Sequence, residues 1–169
     1  MSSARFRIES LAASHDRAAF NCESKPLNTY FHQQVSQDTR RRVTACFVAV
    51  GVEQRIAGCY TLASASVLLS DLPAETGSKL PRYPSVPAVR MGRLAVDRDF
   101  AGHGLGGALL ADALSRVLVS EIAAFALVVD AKDQAVAKSF YQHHGFIALS
   151  DQPLTLFLPM ATAATAAGR

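Results

Sequence analysis

The sequence predicts an α+β domain, on three observations. Two β-rich runs, residues 43–50 and 56–67, flank Gly51-Val52-Glu53-Gln54, a good hairpin turn. A third β-rich run, 89–96, leads into a glycine-rich turn that opens an amphipathic helix over 104–122. A short apolar run, 125–129, has the composition of a strand buried on both faces and precedes another helix.

In chain order, residues 5–11 alternate basic and apolar side chains and suit a first strand. Two short helices follow. Asp16 is placed to cap the first, and Leu27, Tyr30, Phe31, Gln34 and Val35 share one face of the second, with Pro26 near its start. Residues 71–88 carry Pro73, Pro81, Pro84 and Pro87 and read as a long loop. In the helix over 104–122, Leu110, Leu114, Val117 and Leu118 form a buried stripe. A helix over 134–143 stops at Gly145, two strands (146–149 and 154–159) close the sheet, and the small-residue tail 161–169 reads as frayed. The order is β, α, α, β, β, β, α, β, α, β, β. No linker, repeat or low-complexity block divides the 169 residues, so one domain is expected.

Half the residues are apolar and 18% are charged, which excludes a disordered or fibrous chain. No segment reads as a membrane span, and the start lacks the apolar stretch of a signal peptide. Cys22, Cys46 and Cys59 are odd in number and have no CxxC spacing, so neither a disulfide framework nor a metal site is expected, and the expected compartment is the cytoplasm. The net charge of +3 is unevenly spread: residues 1–93 hold 12 basic and 7 acidic groups, residues 94–169 hold 5 and 7. Thirteen of the 17 basic residues are Arg, the side chain suited to bidentate phosphate contact. The triplet Arg40-Arg41-Arg42 reads equally well as a solvated helix end.

The chemistry concentrates at Gly102, Gly104, Gly106 and Gly107, at the start of the long helix. Backbone N–H groups there lack intrahelical partners and carry the positive end of the helix dipole, and glycines let the backbone approach an anion closely. Such a turn is a pyrophosphate cradle. Gly102, Gly104 and Gly107 also satisfy GxGxxG, with Asp130 at the end of the next strand, as in a dinucleotide site. Three features disfavour that reading. Five residues separate Val96 from Gly102, only 62 residues follow Gly107, and the preceding strands pair as hairpins. There is no GK[ST], which excludes a P-loop.

The turn Ala101-Gly102-His103-Gly104-Leu105-Gly106 resembles the acetyl-coenzyme A loop of the GNAT superfamily, [Arg/Gln]-x-x-Gly-x-[Gly/Ala], with Ala101 in the place of Arg or Gln. RLAVD (93–97) before it, ALVVDAKD (126–133) after the helix, and AKSFYQHHGF (137–146) complete that family's usual succession of parts. FNCESKPLNTY (20–30), GCYTL (58–62), LPRYP (80–84) and PLTLFLPM (153–160) are similar to the acetyltransferase toxins of toxin–antitoxin modules, the TacT and AtaT kind. The resemblance implies a GNAT fold: a mixed, mostly antiparallel central sheet with splayed parallel strands, flanked by helices. It implies acetyl-CoA as co-substrate, held by Leu94, Ala95, Val96, Gly102, His103, Gly104, Leu105, Gly106, Gly107 and Phe140, and no metal. It implies acetylation of the α-amine of aminoacyl-tRNA, arrest of translation, and neutralisation by a ribbon-helix-helix antitoxin; homodimerisation is left open. A stand-alone acetyltransferase for a small amine or a protein N-terminus, or a non-catalytic CoA-binding module, are the alternatives.

Acyl transfer to an amine needs a neutral nucleophile, a polarised thioester carbonyl and a proton for the leaving thiolate. An α-amine titrates near 7.7–8.0, so no strong base is required. The backbone N–H of Val96 is the expected carbonyl partner, and Tyr141, where the family places its catalytic Tyr, is the expected acid. His143 and His144 are read as surface residues pointing apart on a helix, and the cysteines as non-catalytic. Arg82, Arg90 and Arg93 are the expected contacts to tRNA phosphates.

Overall fold

The structure is a computed structural model that describes residues 6–131 and 135–168. Its elements are β1 (Arg7–Ser10), α1 (Lys25–Gln33), α2 (Val35–Arg40), β2 (Ala45–Val50), β3 (Ile56–Leu68), α3 (Ala74–Gly77), β4 (Ser85–Val96), α4 (Leu105–Val119), β5 (Ala126–Asp130), α5 (Ala135–His143), β6 (Ile147–Ala148), β7 (Thr155–Pro159) and α6 (Met160–Ala166). The strands are ordered β1-β2-β3-β4-β5-β7-β6. β1–β2, β2–β3, β5–β7 and β6–β7 pair antiparallel, whereas β4 and β5 run parallel from Ala88↔Ala126 to Met91↔Val129. This is the expected mixed sheet. The chain divides into two compact units, one of residues up to Ala63 with Gly92–Ala113, the other of Ser64–Met91 with the residues from Leu114 on.

In the first unit, α1 starts where Ser24 Oγ accepts the Leu27 N–H at 3.3 Å and Pro26 supplies a preset first turn. It buries Phe31 against Phe20 (ring centroids 4.9 Å, edge to face) in a core with Val35, Val48, Val50 and Ile56. The helix expected behind Asp16 does not form. Asp16 Oδ1 accepts the Ala18 N–H at 3.1 Å in a turn, and the second helix is instead α2, which starts one residue after Gln34. Aspartate can stabilise an isolated turn as well as a helix start, and no apolar stripe follows Asp16 to favour the helix. α2 ends at Arg40, so the arginine triplet is an exposed helix end. α4 seats closely on β3 through Gly58, where a Cβ would lie 2.8 Å from Leu109 Cδ1 and 3.0 Å from the Ala95 carbonyl oxygen. Leu105, Leu109, Leu110 and Ala113 are buried there, so the helix stripe is shifted towards its start, with Leu114 only half-buried.

In the second unit, Val67, Leu72, Val86, Val128 and Phe157 form the core. β4 begins at Ser85, four residues earlier than expected, and includes Pro87. Pro87 has no N–H to give; its carbonyl accepts the Phe125 N–H at 2.8 Å. The expected loop over 71–88 is shortened accordingly and contains α3. The tail is not frayed over residues 161–166. Residues 160–166 form α6, with Met160 and Ala163 buried one turn apart. The small side chains that suggested disorder are good helix formers once one face is covered.

Candidate active site

The turn between β4 and α4 is built from the buried Asp97. Its carboxylate accepts the N–H groups of Asn21 and Asp99, both at 2.9 Å, and Arg55 reaches it at 3.4 Å and Asp99 at 3.0 Å. The Asp97 and Arg98 N–H groups donate to the carbonyls of Ala57 (2.8 Å) and Asn21 (2.9 Å). Leaving the two carboxylate-bound amides without a partner would cost roughly 2–6 kcal/mol, so the start of the turn is fixed.

Beyond this anchor the chain passes through Gly102 (φ +81°) and Gly104 (φ +80°), left-handed conformations that favour glycine. A Cβ at either position would meet nothing within 4 Å, so the glycines serve backbone geometry rather than packing. The first helical bond runs from the Ala108 N–H to the Gly104 carbonyl at 3.2 Å, so the amides of Leu105, Gly106 and Gly107 stand ahead of it. Exposed Gly102, His103 and Gly104 with half-buried Gly106 and Gly107 leave this end of a 15-residue helix open to solvent. Amides ahead of the first helical bond can meet an anion without any side chain from position 101.

Also in the first unit, Leu27, Tyr30 and Phe31 of α1 face Cys59 and Thr61 of β3 and Arg93 and Ala95 of β4 around a pocket of about 10 Å³, room for about one water. The Arg93 guanidinium lies 3.5 Å over the Tyr30 ring, whose hydroxyl donates to Asp38 Oδ2 at 2.8 Å. Burial and the Asp38 carboxylate raise the Tyr30 hydroxyl pKa above its ordinary value, so Tyr30 is a neutral platform. Thr61 Oγ1 is buried without a hydrogen-bond partner among the described residues. Sequence reading singled out neither the buried Thr61 hydroxyl nor the stacking of Arg93 on Tyr30. The signal for Thr61 was a hydroxyl at an inward position of an otherwise apolar run, Ile56 to Leu62.

In the second unit, Tyr141 lies buried on α5, its ring 5.2 Å from Phe140 and 5.5 Å from Phe146. Burial, with the Asp130 carboxylate contributing, pushes its hydroxyl up to about 12. It is therefore fully protonated at neutral pH. Asp130 is itself held by Arg90 and by Thr155 Oγ1, which donates to it at 2.9 Å. Arg90 is thus an ion-pair partner, Arg93 lies on Tyr30, and Arg82 is exposed in the segment before β4. Leu94 and Val96 are half-buried on β4, with Ala95 buried between them, and Phe140 is half-buried on α5.

His143 and His144 do not point apart. α5 ends at His143, and the His144 ring turns back to 4.8 Å from Phe140 and 5.3 Å from His143. The helical 100° step assumed between them stops one residue early. Both are exposed, and burial with the neighbouring His143 lowers the His144 pKa. Cys22, Cys46 and Cys59 are all buried; burial raises Cys22, pushes Cys46 up to about 12 and holds Cys59 well above the ordinary thiol range. No group of His, Cys, Asp or Glu among the described residues is arranged to hold a metal ion. No helix among them is long and apolar enough to cross a membrane.

Residues 78–160 match the Acetyltransferase (GNAT) domain family. Over 150 residues the chain is 33% identical to a tRNA-acetylating toxin of Mycobacterium tuberculosis, covering 88% of each protein. The chain belongs to the GNAT acetyltransferases. Within that family it is 28% identical over 157 residues to a probable toxin TacT of Sinorhizobium fredii, covering 88% of this chain and 87% of the relative. Among solved structures, AtaT complexed with acetyl-methionyl-tRNAfMet matches with a TM-score of 0.88 and 28% identity, over 95% of this chain and 98% of that one. AtaTR bound with acetyl-CoA matches with a TM-score of 0.83 and 28% identity, over 96% and 98%. The GNAT enzyme is an acetyl-CoA-dependent acetyltransferase, and its fold is that of AtaT.

Proposed function

We propose that this acetyltransferase moves the acetyl group of acetyl-CoA to the α-amine of aminoacyl-tRNA, and that it acts as a translation-blocking toxin in the cytoplasm, held inactive by a ribbon-helix-helix antitoxin. The observation that carries the reading is the open, glycine-lined start of α4, in a chain alike over most of its length to a toxin named for tRNA acetylation and to AtaT, solved with acetyl-methionyl-tRNAfMet.

The amides at 105–107 receive the coenzyme pyrophosphate, with Gly102, His103 and Gly104 forming the wall of the cradle. Backbone groups of Leu94, Ala95 and Val96 pair with the pantetheine arm, the Val96 N–H polarises the thioester carbonyl, and Phe140 packs on the coenzyme. The amine nitrogen forms a bond to the acetyl carbon, the C–S bond breaks, the new amide loses one proton and the thiolate gains one. Tyr141 supplies that proton. Its hydroxyl is a weaker acid than a thiol of pKa about 8.5, so outright transfer to sulfur would be uphill. Relay closes the balance: Tyr141 donates to sulfur as it takes the proton shed by the positively charged amine of the adduct.

Mass spectrometry of charged tRNA incubated with the enzyme and acetyl-CoA tests the reading directly. N-acetyl-aminoacyl-tRNA is the expected product, and free acetate as the sole product would refute it. The arginines give a second measurement. Replacement of Arg82, Arg90 and Arg93 by Ala should weaken tRNA binding and flatten its dependence on log salt by about one unit for each phosphate no longer neutralised. Arg90 should contribute least, because its guanidinium already faces Asp130. An unchanged slope in the triple variant would move the RNA face elsewhere, with the exposed Arg40–Arg42 end of α2 next in line.

A further inference from the structure

We infer that Tyr83 is a stacking platform for an unpaired nucleotide base of the acceptor RNA, with Arg82 beside it on the phosphate backbone. This deepens the proposed function and rests on it for the identity of the RNA. Pro81, Arg82, Tyr83 and Pro84 are four consecutive exposed residues between α3 and β4. Tyr83 is 64% exposed, whereas every other Phe or Tyr among the described residues is buried or half-buried. Its ring meets no other ring and no cation among the described residues. Tyrosine is enriched at interfaces because its ring gains from being covered while its hydroxyl tolerates water.

The loop is built to hold that ring out. Leu80 packs on the core of the second unit. The Leu69 N–H, one residue beyond β3, donates to the Pro84 carbonyl at 3.0 Å. Between these two anchors the Tyr83 N–H donates to the Pro81 carbonyl at 2.8 Å, closing a three-residue turn. Pro81 and Pro84 each fix φ, so little backbone freedom is left to lose when a ligand docks.

The charge around the ring selects the occupant. From Thr76 to Val96 the chain carries Lys79, Arg82, Arg90 and Arg93 and no Asp or Glu. Lys79 and Arg82 are exposed and enter no ion pair among the described residues. Free cations beside an exposed aromatic ring suit a polyanion with flat apolar faces, which is what a single-stranded nucleic acid offers. In a duplex the base faces are already stacked, so the platform takes its base from an unpaired stretch, and the aminoacylated 3′ end of a tRNA is one.

Tyr83→Ala should weaken tRNA binding by about 5–100-fold, the worth of one base–aromatic stack. Its dependence on log salt should stay as in the parent, because a neutral ring displaces no counterion, whereas Arg82→Ala should flatten that dependence by about one unit. Tyr83→Phe and Tyr83→Trp should bind within a few-fold of the parent, since the ring and not the hydroxyl stacks. Melting temperature and acetyl-CoA affinity should match the parent in all three Tyr83 variants, as expected for a side chain outside the core. Fluorescence anisotropy with intact tRNA and with tRNA lacking its unpaired 3′ nucleotides decides the matter: the loss in the Ala variant should vanish on the shortened RNA. Parent-like binding of intact tRNA by the Ala variant overturns the inference and leaves the tRNA reading standing. A loss of equal size on the shortened RNA overturns it as well. A parent that binds no tRNA overturns both.

Discussion

Tyr141→Phe should lower the rate of acetyl transfer by about 10²–10⁴-fold, the usual worth of a positioned acid, while leaving acetyl-CoA affinity where it was. The substitution removes one oxygen and keeps the ring against Phe140 and Phe146, so thermal stability should barely change. Single-turnover acetylation by the parent and variant, with calorimetry on the coenzyme, separates the two effects. The pH profile adds a check of sign. Burial and Asp130 raise the hydroxyl pKa to about 12, so the protonated donor persists through the whole neutral range. Activity of the parent should rise as the acceptor amine loses its proton and show no falling limb from Tyr141 below about pH 10. A Phe variant within a few-fold of the parent would mean that water or another group supplies the proton.

The second large effect belongs to the cradle. Gly104→Asp places a carboxylate where the pyrophosphate charge is to sit and a Cβ on a residue with φ +80°. Two unit charges about 4 Å apart near a protein surface repel by roughly 4 kcal/mol, which corresponds to about 10³-fold in affinity. Calorimetry should therefore find acetyl-CoA binding weakened by about that factor. The added Cβ meets no atom within 4 Å, so loss of fold is not the expected cause, and a circular dichroism melt checks it. Unchanged affinity would exclude 102–107 as the pyrophosphate site.

The parts of the fold governed by neighbouring residues were legible in the sequence. The β2–β3 hairpin, the strand–glycine–helix passage and the buried strand β5 depend on alternation, turn residues and a glycine cluster within about a dozen positions. What was misread depends on distant partners. Pro84 and Pro87 suggested a loop, yet β4 starts at Ser85 because Val86 and Ala88 enter a core with Val128 and Phe157, some forty to seventy residues away. Ala161–Ala166 looked unstructured until Met160 and Ala163 had a surface to cover. The same holds for the site. Glycines at a helix start announce their chemistry locally. Arg90, by contrast, reads as a free cation until the parallel pairing of β4 with β5 brings it to Asp130. Arg93 likewise reads as a free cation until the packing of α1 on β4 brings the Tyr30 ring beneath it.

The three thiols give the chain a reporter of its own. Cys22, Cys46 and Cys59 all lie in the first of the two compact units, all are buried, and each is held above the usual thiol range by burial. An alkylating reagent at neutral pH meets almost no thiolate while that unit stays closed, so the pace of labelling counts its openings. The second unit carries no cysteine at all and is silent to the same reagent. Timed alkylation with and without acetyl-CoA therefore measures, without any introduced label, how far coenzyme binding tightens the unit that carries the glycine turn.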